Sequence, residues 1–258
     1  MTQRVRAIIP AAGVGTRLQP LTDSIPKCLV EIAGVSLIAR ALRRLERAGV
    51  SDVVVVTGYR ADQLVDSVQA LCFRPPVTFV HNADYRTSDN IVSLLETASF
   101  WGSGDVLVLD ADVLFAQRLV DTMVGAAGDL LAVDTAAEPA RIDMAIELRD
   151  GAAWHLGKDL PPDRVHGEFF GMSRWSREGG RSLIMTVQEM VASGEVGTWY
   201  PFAIRRLAKA QPVGVVETLS GEWLEIDGLA DLERAELEHG RGFPWARDPG
   251  AGGSTETE

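Results

Sequence analysis

Hydrophobic and polar positions alternate in blocks along the first half of the chain. Ala7 to Pro10, Val53 to Val56 and Val106 to Leu109 are short apolar runs that predict strands, and the unbroken β-branched run Val53 to Val56 has the pattern of a strand covered on both faces. Val77 to Val80 reads as a further strand. Between these runs Leu37, Ile38, Ala41, Leu42 and Leu45 recur at helical spacing, with Gly49 placed to stop the helix. Ala61 to Leu71 and Asn90 to Trp101 predict two more helices. Strand and helix alternating in this way specify an α/β fold, a mostly parallel central sheet with helices on both faces.

The second half changes rhythm. Asp129 to Asp134, Asp143 to Leu148 and Val165 to Met172 predict strands with hairpin-like connections, broken at Asp150-Gly151 and Pro161-Pro162. Helices follow over Ser182 to Ala192 and Trp199 to Ala208, strands over Val213 to Glu217 and Trp223 to Ile226, and a last helix over Leu229 to His239. No repeat and no linker interrupts the chain. The expectation is one domain over 1–240, with a nucleotide-binding half (1–115) and a β-rich acceptor and metal half (116–240), then a flexible Gly- and Glu-rich tail over 241–258.

The chemistry concentrates where the first apolar run empties into Ala11-Ala12-Gly13-Val14-Gly15. Ala11, Ala12, Gly13 and Gly15 have little or no side chain, so backbone N–H groups can approach phosphate oxygens. Arg17 presents a planar fork able to grip two phosphate oxygens, and Lys27 a point charge suited to charge developing on an α-phosphate. Pro20 and Pro26 stiffen the segment between them. A dinucleotide fingerprint is excluded because Leu18 stands where its third glycine belongs, and a P-loop is excluded because no Gly-Lys-Ser/Thr follows.

A triphosphate at this loop calls for a hard cation with carboxylate ligands. Asp110 and Asp112 end the Val106–Leu109 run, at the strand end where α/β proteins do their work. Either both approach one ion, or one binds it while the other orients a loop. Glu225 and Asp227 form a second alternating pair behind Trp223.

Composition narrows the partners. Lys and Arg number 25 against 36 Asp and Glu, a net charge of −11, so no global field draws the protein to nucleic acid or to an anionic membrane. Cys28 and Cys72 suggest neither a disulfide framework nor zinc, and the four histidines show no metal-ligand spacing. No segment resembles a signal peptide, and none approaches the roughly 20 apolar residues of a membrane span. A cytoplasmic monomer or homodimer is expected.

Gly13-X-Gly15-X-Arg17, Pro20-X-Thr22, Pro26-Lys27, Gly34 and Leu37-Ile38 together resemble the signature of the nucleoside-diphosphate-sugar pyrophosphorylase superfamily of nucleotidyltransferases. The resemblance implies a Rossmann-like, GT-A-type sheet and transfer of a nucleotidyl group from an NTP to a phosphate, with release of pyrophosphate. It assigns Arg17 and Lys27 to catalysis, Ala11, Ala12, Gly13, Gly15 and Asp110 to the nucleotide, and Asp112, Asp227 and Glu225 to Mg²⁺. Tyr85, Ser88, Asp89, Asn90, Ile91 and Leu94 are similar to the Tyr and Asn-Asn-Ile-X-Ser-Leu element of LicC-type phosphocholine and related phosphonate cytidylyltransferases, except that Asp89 replaces the first Asn. That branch implies CTP as donor and phosphocholine, 2-aminoethylphosphonate or a similar small phosphate or phosphonate as acceptor. Trp154, Trp175, Trp199 and Tyr200 are candidate walls for an ammonium, and Glu168 a candidate acid facing it. Two other readings stay open: a hexose-1-phosphate uridylyl- or thymidylyltransferase, and a catalytically silent nucleotide-binding regulator on the same scaffold.

Overall fold

The computed structural model describes residues 4–138, 142–219 and 221–247. The chain runs β1 (Val5–Pro10), β2 (Glu31–Ile32), β3 (Val35–Ser36), α1 (Leu37–Ala48), β4 (Asp52–Thr57), α2 (Ala61–Gln69), β5 (Val77–His81), α3 (Asn90–Leu95), β6 (Asp105–Leu109), β7 (Val113–Phe115) and α4 (Gln117–Gly125). It continues through β8 (Leu130–Asp134), β9 (Ala145–Arg149), β10 (Ala152–Gly157), β11 (Gly167–Trp175), α5 (Arg177–Ala192), α6 (Pro201–Leu207), β12 (Gly214–Glu217), β13 (Trp223–Glu225) and α7 (Leu229–Gly240). Among the described residues, no helix is long and apolar enough to cross a membrane.

Nine strands form one sheet in the order β5-β4-β1-β6-β11-β8-β12-β10-β9. The parallel pairing predicted from the apolar runs holds for β5, β4, β1 and β6 and again for β8 with β12. β11 lies antiparallel between β6 and β8, and also pairs β9, so the far end of the sheet is a mixed, β-rich unit. The unbroken apolar runs are explained by burial on two sides: Ile8, Val54 and Val108 face a core containing residues of α3, α5 and α6, whereas Ala7, Ile9, Val53, Val55, Leu107 and Leu109 face one containing residues of α1, α2 and α4.

Element boundaries moved for local reasons. α3 stops at Leu95 instead of reaching Trp101, because the Thr97 hydroxyl donates to the Leu94 carbonyl at 2.6 Å and accepts from Trp101 Nε1 at 2.9 Å, and a 3₁₀ turn follows. α5 begins five residues before the predicted Ser182, capped by Ser176. Its Gly179 and Gly180 hide that first turn in the sequence, yet they allow the close approach of the Asp129 carboxylate and the Trp101 ring. The sequence pattern does not predict β2, β3, α4, β7 or β10; β2 and β3 have two residues each and β7 three.

The tail expectation needs correction over 241–247. Trp245 and Ala246 are buried in a third cluster with Leu18, Val30, Ile32, Leu37, Leu114, Leu224, Ile226 and Ala235. A fully buried indole in such a cluster outweighs the Gly- and Pro-rich composition around it. The remainder of the predicted tail, 248–258, lies outside the described residues.

Candidate active site

The loop after β1 is held from beneath. Ala11 N donates to Val56 O at 2.9 Å and Tyr59 N to Ala12 O at 3.0 Å, while the carbonyls of Thr22 and Asp23, each 2.9 Å from the Tyr59 hydroxyl, share its one proton. Gly15 takes φ +70°, and a Cβ there would lie 2.8 Å from Lys27 Cβ. Thr22 Oγ1 donates to Gly15 O at 2.7 Å, which ties the glycine turn to the segment that delivers Lys27. Gly13 has open space beside it, so packing within the chain does not require a glycine there.

Opposite the loop, two chain-distant acids meet through strand pairing. β13 runs antiparallel to β7, with Glu225 against Val113, and Ile226 N donates to Asp112 O at 3.0 Å. Asp227 then sits at the entrance to α7, where Asp231 Oδ2 accepts from the backbone N–H of both Asp227 and Gly228. Lys27 Nζ lies 2.7 Å from Asp112 Oδ2 and 2.7 Å from Asp227 Oδ1, and Arg17 Nη1 lies 2.5 Å from Asp227 Oδ2. Burial opposes the Lys27 charge, but Asp112 and Asp227 more than offset it and hold the ammonium protonated.

Asp112, Glu225 and Asp227 each offer an oxygen within 4.8 Å of the others. Burial, followed by the charges of Asp112 and Asp227, pushes Glu225 up to about 9 against the opposing pull of Lys27, the behaviour of crowded, buried carboxylates. Among the described residues, seven acidic side chains line the cleft with Arg17 and Lys27. A cluster of hard oxygen donors facing a phosphate-type loop is the donor set Mg²⁺ takes.

Asp110 is held by a different device. Its backbone N donates to Gly171 O at 2.9 Å and its Oδ1 accepts from the Tyr200 hydroxyl at 3.1 Å. Burial, and then Asp112, raise its affinity for a proton. Gly171 has φ +89°, and a Cβ there would stand 2.2 Å from Asp110 Oδ2 and 2.7 Å from Asp110 Cβ, so the whole acid would have to move. Gly171→Ala is therefore expected to lose about 1–3 kcal/mol of stability from backbone strain alone, read by urea denaturation, together with activity. A variant as stable and active as the parent would show that Asp110 is not position-critical.

Tyr85, Ser88, Asp89, Asn90, Glu168 and Trp199 line the same cleft as the phosphate-type loop, with Asp110 and Asp112 between. Asp89 precedes α3 without capping it through its side chain, and Asn90 Oδ1 instead accepts from Tyr200 N at 2.9 Å. Glu168 is 4% exposed and accepts from Asp143 N at 2.7 Å; burial, with the nearby charges of Asp143 and Asp134, pushes it up to about 7. Three aromatic expectations are corrected. Trp154 is not among the cleft residues: its ring sits between Arg149, 4.4 Å from the centroid, and Lys209, 3.7 Å away, beside the β9–β10 hairpin. Trp175 is fully buried and its Nε1 donates to Ser173 Oγ, so it is core. Tyr200, also expected as a wall, is buried too and meets the cleft residues through its hydroxyl on Asp110 and its backbone N–H on Asn90. Sequence reasoning missed Asp143 and Gly171 as cleft residues, because the turn before β9 and a kink within β11 carry no local signal of what they face.

The profile of the MobA-like NTP transferase domain matches residues 7–224. CTP:phosphoglutamine cytidylyltransferase of Campylobacter jejuni is 26% identical over 253 residues, 89% of this chain and 98% of that protein. Choline-phosphate cytidylyltransferase of Streptococcus pneumoniae is 27% identical over 237 residues, 90% and 97% of the two chains. The solved structure of the CTP:phosphocholine cytidylyltransferase LicC from Streptococcus pneumoniae superposes with a TM-score of 0.74 at 24% identity, covering 91% of this chain and 99% of its own.

Proposed function

The chain belongs to the MobA-like NTP transferase family and is a nucleotidyltransferase, and from that premise we propose that it moves CMP from CTP to a small phosphomonoester or phosphonate and releases pyrophosphate, with Mg²⁺ as cofactor. The observation that carries this reading is Lys27 Nζ, 2.7 Å from both Asp112 and Asp227 at the mouth of the glycine loop. The base and the acceptor class rest on the two relatives of known activity, each aligned over nearly its whole length.

In this reading the β1 loop presents backbone N–H groups of Ala12, Gly13 and Gly15 to the triphosphate. Arg17 and Lys27 neutralise charge that builds on the α-phosphate as an acceptor oxygen attacks in line and pyrophosphate departs. Asp112, Asp227 and Glu225 would hold the divalent cation, whose chemistry is Lewis-acid charge neutralisation on phosphate oxygens. Until then Lys27 keeps two of these acids from repelling each other. The acceptor enters beside Tyr85, Ser88, Asp89, Asn90, Glu168 and Trp199. We place the protein in the cytoplasm as a monomer or homodimer.

The test is pyrophosphate release with Mg²⁺, pairing CTP, UTP, dTTP, ATP and GTP in turn with phosphocholine, phosphoethanolamine, 2-aminoethylphosphonate and hexose-1-phosphates. Turnover is expected with CTP and an amine-bearing acceptor, and EDTA in excess of Mg²⁺ abolishes it. Turnover restricted to UTP or dTTP with a sugar phosphate would overturn both the base and the acceptor. Silence with every pair would overturn the catalytic assignment itself.

A further inference from the structure

Two aromatic rings at the acceptor end of the cleft, Trp199 and Tyr85, are already covered by cations of the chain itself. Lys158 Nζ lies 4.3 Å from the centroid of Trp199 and is ion-paired with Asp143, another cleft residue. The Arg86 guanidinium lies 5.2 Å over the Tyr85 ring and donates to its hydroxyl at 3.1 Å. Phe169 and Phe170 also line the cleft, but their rings are engaged inside the chain, Phe169 edge-on with Tyr200 at 6.4 Å and Phe170 stacked on Trp223 at 4.3 Å.

This occupancy discriminates between two kinds of ammonium. A quaternary ammonium donates no hydrogen bond, so an aromatic face is its main source of recognition. A primary ammonium has three N–H donors and is satisfied by carboxylates. Glu168 supplies such a carboxylate at the acceptor end, positioned by the 2.7 Å bond that its Oε1 accepts from Asp143 N, while the carboxylate of Asp143 is held by Lys158.

We propose that Lys158 is a specificity-determining residue: by filling the Trp199 face and engaging Asp143 it excludes quaternary-ammonium acceptors and leaves the site to acceptors carrying a primary amine. The inference rests on the cytidylyl-transfer reading for its acceptor class. Lys158 itself is about half exposed, at 47% for its side chain, so its removal opens the ring without emptying a core.

The experiment compares phosphoethanolamine with its trimethylated counterpart phosphocholine, using CTP and Mg²⁺, in the parent, Lys158→Met and Lys158→Met/Trp199→Leu. The parent is expected to favour phosphoethanolamine. Lys158→Met shifts the kcat/KM ratio toward phosphocholine by about tenfold, chiefly through KM, the scale of one uncovered cation–aromatic contact. Adding Trp199→Leu cancels the gain, which a merely structural role for Lys158 would not produce. A parent that prefers phosphocholine, or a ratio unchanged within twofold in Lys158→Met, overturns the proposal. If neither acceptor turns over, the functional reading fails separately, and tryptophan fluorescence titrated with tetramethylammonium still decides: quenching gained in Lys158→Met and lost in the double variant supports the Lys158 assignment, and no gain refutes it.

Discussion

Replacing Lys27 with alanine lowers kcat with CTP by about 10²–10³-fold, the range seen when one preorganised electrostatic group is removed from a transition state. Two effects combine. The ammonium that faces charge developing on the α-phosphate is gone, and Asp112 and Asp227, each 2.7 Å from it, lose their shared counter-charge. Lys27→Arg should not restore the rate, because a planar fork cannot occupy the compact position between two carboxylates that an ammonium takes. Steady-state kinetics at saturating CTP and acceptor measure the effect. A kcat within a few-fold of the parent would remove Lys27 from the reaction and, with it, the role given to the glycine loop. Thermal melting of the same variant separates the causes: catalysis lost with a melting point near that of the parent places the effect on chemistry rather than on folding.

Trp245→Ala is expected to cost about 3–5 kcal/mol, the toll of deleting a large buried aromatic. Its ring is fully buried, its Nε1 donates to Glu238 Oε2 at 2.8 Å, and its carbonyl accepts from Arg44 Nη2 at 2.5 Å. The variant therefore leaves a cavity and removes the hydrogen bond to Glu238 Oε2, while Glu238 Oε1 keeps its ion pair with Arg234. Function should suffer with stability, since the same cluster contains Leu18, next to Arg17, and Leu224 and Ile226, which alternate with Glu225 and Asp227. Urea unfolding of Trp245→Ala beside Trp154→Ala, whose ring lies between surface cations, gives the contrast. A loss below about 1 kcal/mol at Trp245 would mean that the C-terminal segment is an ornament on the fold rather than part of its third core.

The two predictions draw on different kinds of information. Lys27 was identifiable in the sequence because its chemistry depends on neighbours close along the chain: a strand, a glycine turn and two prolines at set distances leave few conformations, and each restricts φ or frees it. Trp245 was invisible there. It is preceded by Gly242-Phe243-Pro244 and followed by Ala246 and a Gly-rich stretch, and no periodicity marks a single indole that packs against residues more than 200 positions earlier. The aromatic expectations divide in the same way. Composition supplied four candidates, and only the packing of α5 and α6 against the sheet put Trp199 in the cleft, Tyr200 beneath it and Trp175 in the core.

By itself, the amino-acid sequence determined the alternation of strands and helices, the buried parallel strands of the first half, the phosphate-type loop and the acids at two strand ends, because each is written in spacings of one to a dozen residues, the range over which backbone geometry controls side-chain direction. Only the tertiary structure decided that Asp112 and Asp227 share one ammonium, that β11 turns antiparallel in the middle of the sheet, that Trp154 leaves the cleft, and that Lys158 covers Trp199. Those facts come from pairings between segments far apart in the chain, and which segments meet is settled by the whole set of apolar faces burying together rather than by any local pattern.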